Sequence, residues 1–240
     1  MNTNHFFIPQ TGSTNDYLRQ MLNETNLPEF TVVQSDFQNA GKGQRGNMWE
    51  SERGKNLLFS ILLKPANISA SEQFLISQIV SLAIKNTLDE FADGFTIKWS
   101  NDIYFNDKKI CGILIENDLN GNKIKQSIAG IGLNINQIDF PKNLPNPLSL
   151  QMITGKNFSL TEICENIVEN LKKLYLANNK LEIKKQYFNN LYRKNGFFPF
   201  QADNETFSAK ILDVKADGKL VLETNEGEQR EFYFKEVKFL

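Results

Sequence analysis

The densest apolar stretch in this chain, Leu57 to Leu63, is seven residues long. A membrane-spanning helix needs about 20 consecutive apolar residues, so the run is sized for a β-strand, and Pro65 stops it. No other segment approaches a span. The N-terminus lacks the basic region and apolar run of a signal peptide. The core must therefore come from short strands of this kind and helices of ordinary length. With 240 residues, the chain can bury a sizeable core without covalent staples.

Two scarce residue types exclude whole classes of chemistry. The one histidine, His5, rules out a two-histidine metal site and forces any Ser-His-Asp triad to use it. The two cysteines, Cys111 and Cys164, are far apart, which excludes a zinc ribbon, a CxxC redox centre and a disulfide scaffold. This usage points to a reducing compartment, the cytoplasm. With 27 basic against 28 acidic residues, the net charge is −1. That lacks the footprint of a general nucleic-acid binder.

Periodicity and turn signals divide the chain. Strands are expected at 5–8, 30–34, 57–63, 95–99, 110–116 and 123–136, the last after a hairpin signal at Asn120-Gly121. A short helix carrying Tyr17, Leu18 and Leu22 follows Ser13-Thr14-Asn15-Asp16, a weak capping arrangement. Ser69 to Glu72 reads as a capping box before a helix with Leu75, Ile79, Leu82 and Ala83 on one face. A second box, Ser159 to Glu162, opens a helix with Ile163, Ile167, Leu171 and Leu174, and helix continues to about residue 194. Pro141, Pro145 and Pro147 mark a loop between. After Gly196-Phe197-Phe198-Pro199 the pattern turns to period two, with strands at 207–214, 220–224 and 231–237. The reading is an α+β domain over 1–195 and a small β-barrel over 196–240.

Between two strands lies a polar, glycine-rich loop from Ser35 to Asn56. Its Gly41-Lys42-Gly43-Gln44-Arg45-Gly46 matches GxGxxG literally, but no apolar helical face follows, so a dinucleotide-binding turn is not supported. Nor is a kinase, since there is no His-Arg-Asp, and no Walker A is present. What remains is a loop with backbone N–H groups, Lys42 and Arg45, able to wrap an anion or simply solvated. Trp49 either covers a ligand or packs on the core.

Five segments then stand in a recognisable order: Ser13-Thr14-Asn15; Gln38 through Trp49; Lys98-Trp99-Ser100-Asn101-Asp102; Lys108 to Glu116; and Gly130-Ile-Gly-Leu-Asn-Ile-Asn136. Together they resemble the biotin protein ligases, over most of residues 11–136. The resemblance implies a mixed sheet flanked by helices, like class II synthetases, with an SH3-like C-terminal barrel. It implies activation of biotin by ATP, with Mg²⁺, to biotinyl-5′-AMP, and transfer to a lysine of a biotin carboxyl carrier protein. Two departures stand out. Ser100 replaces a proline and loosens that turn. Gln44 replaces an arginine, so the cation meeting the phosphate is Arg45 or Lys42. The repressor members' N-terminal helix-turn-helix has no room before Ser13, so a monofunctional ligase is expected.

The resemblance also distributes roles. Lys109 and Arg45 are the catalytic cations. Ser13, Thr14, Asn15, Gln38, Lys42, Gly43, Gln44, Lys109 and Gly112 go to biotin. Gly41, Arg45, Gly46, Trp49, Lys109 and Asn134 go to the adenylate, and Asp102 to metal. Each has a plainer alternative. Ser13 could be only a helix cap, Lys109 a solvated strand start, Gly112 a bulge, Asn134 a turn residue and Asp102 a structural cap. Cys111, in an apolar strand, reads as core. The competing functions are a ligase for lipoate or a related acid, and a non-catalytic biotin or adenylate sensor, against which Lys109 and Arg45 argue. Open sheet edges allow a homodimer; neither nucleic acid nor membrane is expected as a partner.

Overall fold

The computed structural model describes residues 4–240, apart from the side chain of Arg45. The main sheet has seven strands: β1 (His5–Ile8), β2 (Val32–Ser35), β3 (Leu57–Leu63), β4 (Phe95–Lys98), β5 (Asp102–Phe105), β6 (Lys108–Asn120) and β7 (Lys123–Leu133). Their order is β1-β2-β3-β7-β6-β5-β4, and only β1 and β2 run parallel.

The Leu57–Leu63 run is β3, and every one of its residues is buried because the sheet is covered on both faces. Alternate side chains go to opposite faces. Leu57, Phe59, Ile61 and Leu63 enter the main core, while Leu62 joins Leu18, Val33 and Ile128 beneath α1 (Thr14–Glu24). Ser60, the polar break in the run, shares that second face.

The main core lies between the sheet and α2 (Phe74–Leu88), with α4 (Leu160–Ala177) and α5 (Lys180–Asn189) behind it. The expected single apolar face of α2 is wrong in one respect: only Asn86 is exposed, because sheet and helices enclose α2 all round. Each fully buried Leu or Ile there contributes about 1.5–3 kcal/mol. The Ser69–Glu72 capping box does not close. Ser69 Oγ meets the Glu72 carboxylate instead of a backbone N–H, and Glu72 is drawn to Lys180 at 2.8 Å. A 3₁₀ turn results, and α2 starts at Phe74. The second box fares better: Ser159 Oγ accepts from Glu162 N. The proline loop is followed by a short helix, α3 (Leu150–Thr154), capped by Ser149.

The β6–β7 hairpin forms, with Asn120 paired to Lys123, so Gly121-Asn122 is the turn and Gly121 takes φ +58°. The C-terminal region is a five-stranded antiparallel sheet in the order β11-β10-β9-β8-β12: β8 (Phe198–Ala202), β9 (Glu205–Val214), β10 (Leu220–Thr224), β11 (Gln229–Phe232) and β12 (Lys238–Phe239). Its outer strands β11 and β12 are not paired with each other, so the expected barrel is open at that seam. The expected strand 231–237 is interrupted: Tyr233 and Glu236 form a turn, with Lys235 at φ +74°. This sheet and the main one share a continuous apolar core.

Candidate functional site

A cavity of about 440 Å³ opens beside the start of α1, between the glycine loop and the β6–β7 strands. Its polar corner comes from the first turn of α1. Ser13, Thr14 and Asn15 are all buried. Ser13 occupies the cap position, but its hydroxyl makes no capping bond. The plain capping role is therefore not the one it plays. Thr14 donates both its backbone N–H and its hydroxyl to Gln38 Oε1, at 2.7 and 3.1 Å. Asn15 Nδ2 donates to Glu116 Oε2 at 2.8 Å, and Ser60 Oγ lies 2.5 Å from Asn15 Oδ1.

The floor is a patch of glycines on β6 and β7, where Gly112 faces Gly132 and Leu114 faces Gly130. A Cβ on Gly132 would lie 2.6 Å from Trp49 Nε1, one on Gly112 2.8 Å from Trp49 Cζ3, and one on Gly130 2.9 Å from Asn15 Cγ. These positions need glycine because side chains from elsewhere lie directly on the sheet backbone. The bulge explanation for Gly112 fails: its register with Gly132 is regular, and the β5–β6 shift falls elsewhere.

The glycine loop folds over this floor. Gly41 sits at its base, where Trp49 N donates to Gly41 O, and Gly46 closes a 3₁₀ turn at φ +84°, a conformation glycine adopts freely. Gly43 and Lys42 line the cavity, and Lys42 Nζ pairs with Asp16 at 2.7 Å. Gln44 Nε2 donates to Asn101 Oδ1 at 2.6 Å, linking the loop to the Lys98–Asp102 segment. Gly41 and Gly46 shape the loop without lining the cavity. The Arg45 side chain lies outside the described residues.

At the far end, Lys109 Nζ sits 2.6 Å from Asp102 Oδ2 and 5.8 Å from the centre of the Trp49 ring. Lys109 is only about 31% exposed and lines the cavity, unlike its exposed neighbour Lys108. Asn134 is buried, with Nδ2 bonded to Leu148 O. Among the described residues, three buried polar atoms on cavity-lining side chains have no partner: Gln44 Oε1, Trp49 Nε1 and Asn134 Oδ1. Each such orphan costs about 1–3 kcal/mol unless a bound group satisfies it. They mark the cavity as built for a polar ligand.

Asp102 and Glu50 are the two carboxylates that line the cavity, and Asp102 is the one paired with Lys109. Among the described residues no three His, Cys, Asp or Glu side chains gather as a metal cage. A single carboxylate of this kind could hold a divalent cation only together with other oxygen ligands. Nearby, Lys98 is held among the rings of Tyr104, Tyr192 and Phe239, and burial lowers its pKa. Burial pushes the Cys111 thiol far up, as expected of core rather than a nucleophile. His5 is exposed on β1 and does not line the cavity. The expected loosening at Ser100 is absent: Ser100 is buried, and its O accepts from Tyr187 OH at 2.6 Å.

Sequence reasoning missed three parts of this site. Ser60 and Glu116 hold Asn15, and Ser60 was signalled by being the polar residue in an apolar run. Phe140, Leu144, Pro145 and Pro147 form an apolar wall, brought in by pairing of Lys109 with the proline loop. Phe234 enters from the C-terminal sheet, with no local signal.

The cavity thus combines a hydrogen-bonding corner, an apolar wall and a fixed cation. A profile of the biotin/lipoate A/B protein ligase family matches residues 7–134, and the chain belongs to that family. It is 31% identical over 230 residues to the bifunctional ligase/repressor BirA of Bacillus subtilis, covering 93% of this chain and 70% of that protein. It is 28% identical over 131 residues to the biotin–[acetyl-CoA-carboxylase] ligase of Paracoccus denitrificans, covering 53% of each. Among solved structures, the biotin protein ligase of Aquifex aeolicus in complex with biotin and ATP superposes with TM-score 0.81 at 23% identity over the whole of both chains.

Proposed function

We propose that this chain is an ATP-dependent biotin–protein ligase. The observation that carries the reading is that the Thr14–Asn15–Gln38 corner and Lys109 open into one cavity across a glycine floor. Biotin needs hydrogen-bond partners for its ureido ring at one end, an apolar slot along its body, and a cation where its carboxylate ends. In the first half-reaction the biotin carboxylate attacks the α-phosphate of ATP, forming the acyl–phosphate bond of biotinyl-5′-AMP and releasing pyrophosphate. Two like unit charges ~4 Å apart repel by about 4 kcal/mol at an effective dielectric near 20. Lys109, held in place by Asp102, offsets that repulsion at the point where the charges meet. Asp102 would be the residue to hold Mg²⁺, which would supply further neutralisation of the phosphates.

Ser13, Thr14, Asn15 and Gln38 take the ureido ring, while Lys42, Gly43, Gln44 and Gly112 bound the rest of biotin. Gly41, Gly46, Trp49 and Asn134 serve the adenylate, with Arg45 as the loop's own cation. Asn134 Oδ1 and Trp49 Nε1 supply an acceptor and a donor to it. The closed loop keeps water from the mixed anhydride. In the second half-reaction a lysine amine on a carboxylase carrier protein attacks the acyl carbon, and AMP leaves. The catalytic unit is residues 1–195 and the appendage 196–240. The two free, buried thiols accord with a cytoplasmic protein, and the exposed edge strand β1 leaves room for a homodimer.

Biotin-dependent ATP–pyrophosphate exchange tests the proposal directly. Exchange that requires biotin and is not supported by lipoate is the expected result. Exchange with lipoate alone would move the reading to the related acid. Binding of biotin without exchange would make the protein a sensor.

A further inference from the structure

Asn15 carries an amide with two opposite ends, and the end that faces a ligand decides what it binds. Carbonyl and amino groups are nearly equal in shape, so packing alone does not choose between them. Here Nδ2 donates to Glu116 Oε2 at 2.8 Å, while Oδ1 lies 2.5 Å from Ser60 Oγ. Ser60 is indifferent, because a hydroxyl can donate or accept. A carboxylate only accepts. Flipping Asn15 would set its oxygen against Glu116 with no proton between them. Leu114 O, at 3.5 Å from Nδ2, is a second and much weaker acceptor on the same side, so Glu116 is the main group that fixes the amide.

Glu116 is itself held. Asn15 and Arg19 lie one helical turn apart on α1, and Glu116 and Asp118 share a face of β6, so the two periodicities bring the pairs together. Arg19 Nη1 donates to both Asp118 oxygens at 2.8 and 3.1 Å, and its Nη2 lies 3.8 Å from Glu116 Oε2. The corner beyond Asn15 is rich in acceptors. Ser60 Oγ also reaches Thr14 Oγ1 at 2.7 Å, and the Thr14 hydroxyl is spent on Gln38 Oε1. Ser60 has one proton for two acceptors, so one acceptor is always left over.

We infer that Glu116 is a positioning residue: it presents Asn15 Oδ1 as an acceptor and so selects ligands that offer ring N–H donors, as a cyclic urea does. This rests on the reading of Asn15 as a ligand contact. Steady-state kinetics of the full chain with Asn15→Ala, Glu116→Ala, Glu116→Gln and the double alanine variant test it. Glu116→Ala should raise the KM for biotin roughly tenfold, the loss expected for one misdirected hydrogen bond. Its KM for ATP and its kcat at saturating biotin should stay at the parent values. Glu116→Gln, whose Oε1 can turn to Asn15, should restore most of the affinity. The double variant should be no worse than Asn15→Ala alone. Additive losses, or an unchanged biotin KM in Glu116→Ala when Asn15→Ala raises it, overturn the role of Glu116. A parental biotin KM in Asn15→Ala overturns the ligand contact itself. Glu116→Leu, which keeps the volume, carries the same test if the alanine variant does not fold.

Discussion

Lys109 holds two relationships at once, an ion pair with Asp102 and a place beside the Trp49 ring. Both partners of the pair are about a third exposed, and such pairs are worth about 0–1 kcal/mol. Lys109→Ala should therefore leave the thermal midpoint almost unchanged. The effect on adenylation should be far larger, a fall of about 10²–10³-fold, as for loss of one preorganised charge-stabilising group. Pyrophosphate exchange by a folded Lys109→Ala variant at the parent rate would remove Lys109 from the chemistry. At this scale the sequence was informative wherever a residue type is unusual for its place. Trp49 was legible that way, whereas Lys109 read as a solvated strand start until the family resemblance singled it out. Glu116 was not, because a carboxylate on a half-exposed strand looks ordinary until Asn15, about a hundred positions earlier, is seen against it.

The β6–β7 hairpin contains glycines of two kinds, and they should respond differently to a methyl group. Gly132 has ordinary strand dihedrals, but a Cβ there would press on the indole of Trp49. Gly132→Ala should leave the hairpin in place and drive Trp49 off the floor, seen as a red shift of part of the tryptophan emission and a raised KM for ATP. Gly121 is in the turn at φ +58° with open space around it. Gly121→Ala should cost about 1 kcal/mol of stability through strain and leave emission and KM unchanged. Equal emission in both variants would mean that Trp49 does not rest on Gly132. Elements with a strong local signal were readable: β3 from its apolar run, the hairpin from its turn residues, α4 from its cap and stripe. β5 and α3 were not read from the sequence, and the five-residue α3 is too short to show a helical period. The box before α2 misled because Lys180, far along the chain, competes for Glu72.

The whole molecule is tied across its two sheets by contacts that no local pattern encodes. Trp99 Nε1 donates to Gly218 O at 2.9 Å, and the ring packs edge-on against Phe234. The shared core also buries both thiols, which makes stability depend on alkaline pH. Burial raises Cys164 to about 12 and raises Cys111 as well, whereas an unfolded thiol titrates near 8.5. Above pH ~8.5 the unfolded chain loses these protons and the folded chain keeps them, so stability falls as pH rises, by about 1.4 kcal/mol per pH unit for each thiol. Lys98 acts in the opposite sense. Burial lowers its pKa, so its contribution is fully present above the unfolded value near 10.4 and is lost as pH falls through the lowered one. Two falling groups against one rising group leave a net fall between pH 8.5 and 10. Tyr104, Tyr175, Tyr187 and Tyr192, all raised chiefly by burial, steepen it above pH ~10. Urea unfolding at pH 7.5, 9 and 10 measures this. Cys164→Ala should flatten the decline and Lys98→Met should deepen it. A parent protein whose stability holds or rises to pH 10 would mean that the thiols titrate in the folded chain much as they do in the unfolded one.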